Sequence, residues 1–376
     1  MYTTQTNLPE GLDSMPYRHL FPLGVMTAVL CSAAMAAAAE PLFDKRDVFV
    51  SGTENTHTFR IPALLKTKSG AILALCEARR ASGADHGDID LVLRRSHDGG
   101  RSWSAMQVLA NNGSHTMGNP APVLDQRSGT IWLPFSEDNK RVLLISSADD
   151  GKTWSPPRDI TRDVLPSNWH WVGPGPGHGI QLSVGPRAGR LVVPFWAGVE
   201  RDVPFGATQL SYVVYSDDGG KNWRHGRAAT INHSDECQVV ELNDGRLYMN
   251  ARSRMGKRRR AFCFSADGGQ TWSPIRNDPG MPERSCQGSV VRLGPGLIGV
   301  AHPVDEQTRR ELTVRASRDE GRTWPVARVV DAGAAAYSDL AVNRRGEVLV
   351  AYESRQYQAI TVARFSLSWL TAGKNP

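Results

Sequence analysis

Cysteine is scarce in this chain, at five in 376 residues, and no two of them are spaced as a CxxC pair. That excludes a zinc ribbon and a thioredoxin-like redox centre. Lysine is also rare: eight stand against 36 arginines, and the only clustered cationic run is Lys257 to Arg260, expected to solvate a turn. A pI near 9.2 without a basic stripe gives no nucleic-acid site. Outside Leu20 to Ala39 no segment is apolar for long enough to span a bilayer, so no stable membrane insertion is expected. Hydrophobic content of 40% with 22% charge excludes general disorder. What the chain has in quantity is arginine, which favours planar recognition of carboxylate or phosphate, and turn formers, with 36 Gly and 23 Pro.

The first 39 residues read as a signal peptide with a polar upstream extension: Tyr17-Arg18-His19 precedes an apolar stretch that ends in alanines before Glu40-Pro41. Pro22 and the small residues of its second half argue against a membrane span, and Met15 would start a leader of ordinary length. An exported protein, periplasmic or secreted, is expected, with residues 40–376 as its single domain. Cys31 would leave with the leader. Cys76, Cys237, Cys263 and Cys286 lie in apolar, strand-like contexts and are expected as small buried side chains rather than disulfide partners.

An eight-residue pattern, Ser-x-Asp-x-Gly-x-Thr-Trp, begins at Ser96, Ser147, Ser216, Ser265 and Ser317, with Ser102 and Asn222 replacing Thr in two copies. The starts lie 51, 69, 49 and 52 residues apart, so about 337 residues after the leader hold about six units. Each copy follows a β-like run such as Leu91–Arg95 or Tyr212–Tyr215 and is therefore a hairpin turn. The Asp carboxylate accepts turn amides, Gly takes a backbone conformation closed to bulkier residues, and Trp covers the hairpin. Units of this size built from short strands give an all-β, six-bladed β-propeller, which hides sheet edges by radial packing. The sixth unit keeps only Ser366 and Trp369 and should turn differently, while Val48–Ser51 should pair near Ile360–Phe365 and close the ring. The five Asp and five Trp residues of the boxes are scaffolding.

Beyond the boxes stands Phe59-Arg60-Ile61-Pro62. With these boxes it resembles an exo-α-sialidase (neuraminidase) of compact single-domain type. The resemblance continues through Glu77-Ala-Arg79, Gly118-Asn119-Pro120, Gly175-Pro-Gly-His178, Asp235-Glu236-Cys237-Gln238, Asn250-Ala-Arg252-Ser253, Cys286-Gln287-Gly288-Ser289, His302-Pro303, Ala336-Tyr337-Ser338-Asp339-Leu340 and Ala351-Tyr352-Glu353. It implies hydrolysis of terminal sialic acid from glycoproteins, glycolipids or oligosaccharides, without a cofactor or metal. A sugar with a carboxylate on its anomeric carbon needs a fixed cationic clamp, and the resemblance assigns Arg60, Arg252 and Arg309 to it, Arg309 rather than Arg310 by spacing from His302-Pro303. Glu353 resembles the acid that orients Arg60, and Glu77 has a similar supporting place. A carboxylate nucleophile would be repelled by the substrate's own anion, so a neutral phenol serves, and Tyr337 matches that position. Glu236 resembles its base. Asp85, rather than Asp88 or Asp90, matches the general acid/base, in a loop ahead of Arg94-Arg95. Arg79 with Asp85 would line the 4-hydroxyl side, Asn119 the N-acetyl or hydroxyl side, and Gln287 the glycerol chain. Where mammalian relatives carry tyrosines, Val193-Pro-Phe195-Trp196 leaves Trp196 as the aromatic wall, and Trp169-His170-Trp171 is either a rim or a packed loop. The competing readings are a catalytically silent propeller that binds sialylated glycans and a trans-sialidase.

Overall fold

The computed structural model describes residues 1–2, 42–199, 208–230 and 233–372; residues 3–39 of the expected leader lie outside them. Pro41–Pro376 forms one compact unit, whose architecture follows.

The fold is all-β. Four antiparallel sheets follow one another along the chain. The first pairs Thr58–Lys66, Ile72–Arg79, Ile89–Ser96 and Gln107–Ala110 in order. The second is built on Ile131–Glu137 and Arg141–Ser147, the third on Leu191–Gly198 and Gln209–Ser216, and the fourth on Ser234–Glu241, Leu247–Ser253, Arg259–Ser265 and Arg276–Pro282. A seven-stranded sheet completes the set. Its long strand Val326–Val342 changes partner midway: Val326 to Ala334 pairs with Arg310–Ser317, and Ala335 to Val342 pairs with Val348–Ser354. It is therefore two sheets sharing one strand. Phe43–Val50 adds to Ala359–Phe365 at its end, which is the pairing expected of the first strand.

Strands such as Ile72–Arg79 and Gln209–Ser216 are buried along their whole length because sheets cover both of their faces. The core divides accordingly. One apolar cluster joins Leu73 and Leu93 to Leu133 and Ile145, the next Val142 to Val193 and Val214, and the next Val213 to Val239 and Met249. Further clusters join Val240 to Ile298 and Val314 to Val350, and a last one returns Leu349 and Val362 of the final sheet to Phe59 and Ile72 of the first. Each buried Leu, Val or Ile contributes about 1.5–3 kcal/mol, so the sheet-to-sheet contacts dominate stability.

The five boxes form the turns their sequence predicts. In each, the serine hydroxyl donates to the Asp carboxylate and accepts the glycine N–H, as in Ser96 to Asp98 at 2.8 Å and Gly100 to Ser96 at 2.7 Å. The Asp then receives the N–H and side chain of the Thr position, at 2.9 and 2.6 Å for Thr153 on Asp149. Gly220, at φ +93°, shows why glycine is required, since a Cβ there would lie 2.1 Å from the Trp132 indole. Near the C-terminus, where only Ser366 and Trp369 of a box are present, a short helix stands instead, Leu367–Thr371, capped by Ser366 accepting the Trp369 N–H, with Trp369 stacked on Phe43 at 4.4 Å. Cys76, Cys237, Cys263 and Cys286 are free and buried.

One expectation is corrected here. Arg260 does not solvate a turn; it is fully buried, donating to Asn250 at 2.5 Å, to Glu283 at 2.9 Å and to the Cys286 carbonyl at 2.7 Å. Only the first part of that cationic run faces outward, because Arg260 stands on an inward register of its strand where Glu283 supplies a buried counter-charge.

Candidate active site

Three strands, Thr58–Lys66, Ser234–Glu241 and Val326–Val342, break register toward one end of a ladder, each by one extra residue. The breaks fall at Arg60-Ile61-Pro62, at Asp235-Glu236 and at Ala336-Tyr337. A bulge re-aims the side chains around it. At the first, Ile61 sits at φ +59°, an uncommon conformation for a β-branched residue, and its N–H is held by Glu353 at 2.9 Å. The same Glu353 oxygen accepts Arg60 Nε at 2.6 Å, and its second oxygen accepts the Tyr337 N–H at 3.2 Å. One buried carboxylate thus fixes both an arginine and the tyrosine.

The bulged ends surround a cleft of about 670 Å³, the size of a small-molecule site. The Tyr337 hydroxyl donates to Glu236. Arg252 Nη1 donates to the other Glu236 oxygen at 2.9 Å and to the Tyr337 hydroxyl at 3.2 Å. The guanidinium groups of Arg60 and Arg309 lie 5.4 and 5.3 Å from the Tyr337 ring. Arg60, Arg252 and Arg309, remote in sequence, therefore meet at one phenol. Burial first, then the Glu236 carboxylate, pushes the Tyr337 phenol well above its usual range, against the pull of Arg252 and Arg309. The resting hydroxyl is protonated.

Asp85 stands across the cleft with its side chain 76% exposed, 2.6 Å from Arg79 Nη1 and 3.6 Å from Arg60 Nη1. Partial burial pulls its carboxyl upward, but Arg79 and then Arg60 outweigh it and hold the group below the usual carboxylate range. Asp88 is exposed and Asp90 is occupied by Arg80 at 2.8 Å, so of these three aspartates only Asp85 lines the cleft, with His86 beside it. Glu77 fixes Arg79 with bonds of 3.0 and 2.8 Å and accepts the Asn119 N–H at 3.0 Å. Gly118 permits that approach, since a Cβ would lie 2.6 Å from the Glu77 carboxylate. Asn119 and Trp196 line the cleft, and Trp171 packs on Trp196 with ring centroids 3.8 Å apart.

Two assignments resolve differently from their neighbours. Arg310 turns away, toward the Ala332 carbonyl, and leaves the cleft to Arg309. Gln287 is 1% exposed and does not line the cleft; its amide donates to the Pro176 carbonyl at 3.1 Å and accepts the Ser338 N–H at 2.9 Å. Both ends are consumed by backbone, so it supports the Tyr337 strand from beneath instead of reaching a glycerol chain.

Sequence reading gave no role to Asp235, Arg254, Asn139, Tyr357 or Ser285. Asp235 is fully buried, accepts Arg254 at 2.6 Å and lies 3.6 Å from Arg252. Tyr357 covers the Arg60 guanidinium at 4.3 Å. The spacing of Arg254 two residues beyond Arg252 was the available signal, since alternate residues share a face. Among the described residues no group of His, Cys, Asp and Glu is arranged to hold a metal ion, and no helix is long and apolar enough to cross a membrane.

A family profile of BNR repeat-like domains matches residues 70–350. A sialidase of Micromonospora viridifaciens is 31% identical, over 91% of this chain and 56% of its own length, so this chain spans little more than half of that relative. An exo-alpha-sialidase of Aspergillus fumigatus is 31% identical over 85% of this chain and 86% of its own. Among solved structures, the Hadza microbial sialidase Hz136 aligns with a TM-score of 0.78 at 27% identity, covering 87% of this chain and 69% of that one. A leech intramolecular trans-sialidase shares the fold, with a TM-score of 0.75 at 20% identity over 88% of this chain and 71% of its own.

Proposed function

The chain belongs to the sialidase family, and from that premise we propose that it is an exo-α-sialidase, exported by its leader, that removes terminal sialic acid from glycoconjugates with retention of configuration. Its scaffold is a six-bladed propeller, a reading supported by core clusters that run from each sheet to the next and back to the first.

The observation that carries the reading is the Tyr337–Glu236–Arg252 hydrogen-bonded set, with Arg60 and Arg309 flanking the same phenol. Among the described residues Arg309 has no carboxylate partner, and it donates to the neutral Ser285 carbonyl. A substrate carboxylate supplies the missing charge. Held there, its anomeric carbon faces the Tyr337 oxygen. That oxygen attacks as its proton passes to Glu236, while Asp85 gives a proton to the glycosidic oxygen and the bond to the aglycone breaks. In the second half Asp85 takes a proton from water, the water oxygen attacks the same carbon, the bond to Tyr337 breaks, and Glu236 returns the phenolic proton. Two displacements give retention.

The resting charges suit this order. Asp85 is ionised because Arg79 and Arg60 hold it so. A substrate anion on Arg60 weakens one of those attractions and adds a like charge, which raises the Asp85 pKa as the glycosidic oxygen arrives. The test is release of a chromophore from an aryl α-sialoside by the purified protein. Turnover with the α-anomer of sialic acid as first product supports the reading. No turnover between about pH 4 and 8 would overturn it in favour of a glycan binder.

A further inference from the structure

We infer that Ser285 is a positioning residue for the carboxylate clamp: a single serine ties Arg252 to Arg309 and sets the geometry in which both meet an anion. The inference rests on the proposed clamp and adds a residue to it.

Ser285 faces the two arginines with different atoms. Its Oγ accepts Arg252 Nε at 3.0 Å, and its carbonyl accepts Arg309 Nη2 at 3.0 Å. Presenting both at once requires a turned backbone, and Ser285 sits at φ +46°, in the left-handed region that a non-glycine residue adopts at a cost. The surrounding structure holds it there. Glu283 accepts the N–H of Ser253, the residue after Arg252, at 2.8 Å, and the buried Arg260 grips both Glu283 at 2.9 Å and the Cys286 carbonyl at 2.7 Å. The segment from Glu283 to Cys286 is thereby fastened to the strand that carries Arg252.

The consequence is specific to Arg252. Its Nη1 is engaged by Glu236 and Tyr337, and its Nε is hydrogen-bonded to Ser285, with the buried Asp235 carboxylate 3.6 Å from the same Nε and beyond hydrogen-bond reach. A guanidinium pinned through Nε and Nη1 has its remaining Nη2 edge fixed in direction, whereas one held at Nη1 alone swings about that contact. Serine suits the place because its oxygen accepts without adding charge. A carboxylate there would neutralise the clamp and compete with the substrate.

The test compares the full-length protein with Ser285→Ala, which loses only the hydroxyl and keeps the backbone cost serine already bears, and with Ser285→Gly, which loses the whole side chain and relieves that cost. Calorimetry with an unsaturated, carboxylated sialic acid analogue should show binding weakened roughly tenfold in both variants, with the thermal midpoint of Ser285→Ala unchanged. In an Arg252→Lys background, which lacks Nε, the alanine substitution should have no further effect. Wild-type affinity in Ser285→Ala, a loss confined to Ser285→Gly, or an undiminished effect beside Arg252→Lys would each overturn the inference while leaving the sialidase reading standing. Failure of the wild-type protein itself to bind the analogue would overturn that reading and this inference with it.

Discussion

The two ends of the same ladders obey opposite rules. At one end lie the boxes, where Ser96, Ser147, Ser216, Ser265 and Ser317 each repeat one set of short-range hydrogen bonds between residues a few positions apart. In the first sheet Ser96 pairs with Ile72, and the opposite end of that ladder holds Arg79 beside Thr58 and Ile89. There a bulge recurs but the side-chain bonds do not: Arg60 bonds to Glu353 and Tyr337 to Glu236, across 293 and 101 residues. Local bonds make the boxes interchangeable and confine them to stability. Long-range bonds make the bulged ends unique, and chemistry is concentrated there.

The largest effect that would sharpen this contrast is loss of the phenol. Tyr337→Phe should lower kcat by at least about 10³-fold while leaving the fold and analogue binding close to normal; near-normal turnover would break the assignment of the attacking atom. Next come two arginines that differ in their partners. Arg309→Ala should weaken a carboxylated analogue by about 10–100-fold, the worth of a charge-assisted hydrogen bond, at nearly unchanged thermal stability. Arg60→Ala should weaken it similarly and also destabilise the fold by about 3–5 kcal/mol, because the buried Glu353 loses its counter-charge. Equal melting temperatures for the two variants would contradict that difference.

A smaller effect concerns pH. As proton donor, Asp85 is active in its protonated form, so kcat/KM declines as pH rises through its pKa in the free enzyme. Arg79 holds that pKa down. Arg79→Gln removes a positive charge, raises the pKa and moves the basic limb of kcat/KM to higher pH, whatever it does to the maximum. A limb that stays or moves lower would place the titrating group elsewhere.

The smallest effect belongs to the box end. Asp149 is held at about 2 by the Thr153 side chain and N–H, below the ordinary unfolded value of ~3.9. A folded pKa below the unfolded one contributes stability that is present above pH ~4 and lost as pH falls through about 2. Asp149→Asn should lower the melting temperature by a few degrees at neutral pH, flatten part of its acid dependence between those limits, and leave KM untouched. A changed KM would mean that the box end communicates with the site.

The same contrast explains what the sequence disclosed. Box turns were legible because their bonds fall within a fixed short spacing, and the pairing of the first strand with the last because the boxes recur at a near-constant interval along the chain. Arg60, Glu236, Arg252, Arg309, Tyr337 and Glu353 were legible only through motif resemblance, and the structure gathers all of them. Arg260 was misread because its buried partner Glu283 is 23 residues away and nothing beside it marks it as inward. Gln287 was misread because a polar residue in a motif looks like a substrate contact until both amide ends are seen to bind backbone. Ser285 gave no signal, since its role depends on a left-handed backbone beside two distant arginines.

The central claim is that the Tyr337 oxygen bonds to the sugar. Incubating the protein with a fluorinated sialosyl fluoride, which forms such a bond quickly and releases it slowly, followed by digestion and peptide mass spectrometry, examines it directly. The sugar's mass should appear on the peptide containing Tyr337 and on that side chain. Its appearance on Glu236 or Asp85 would contradict the account.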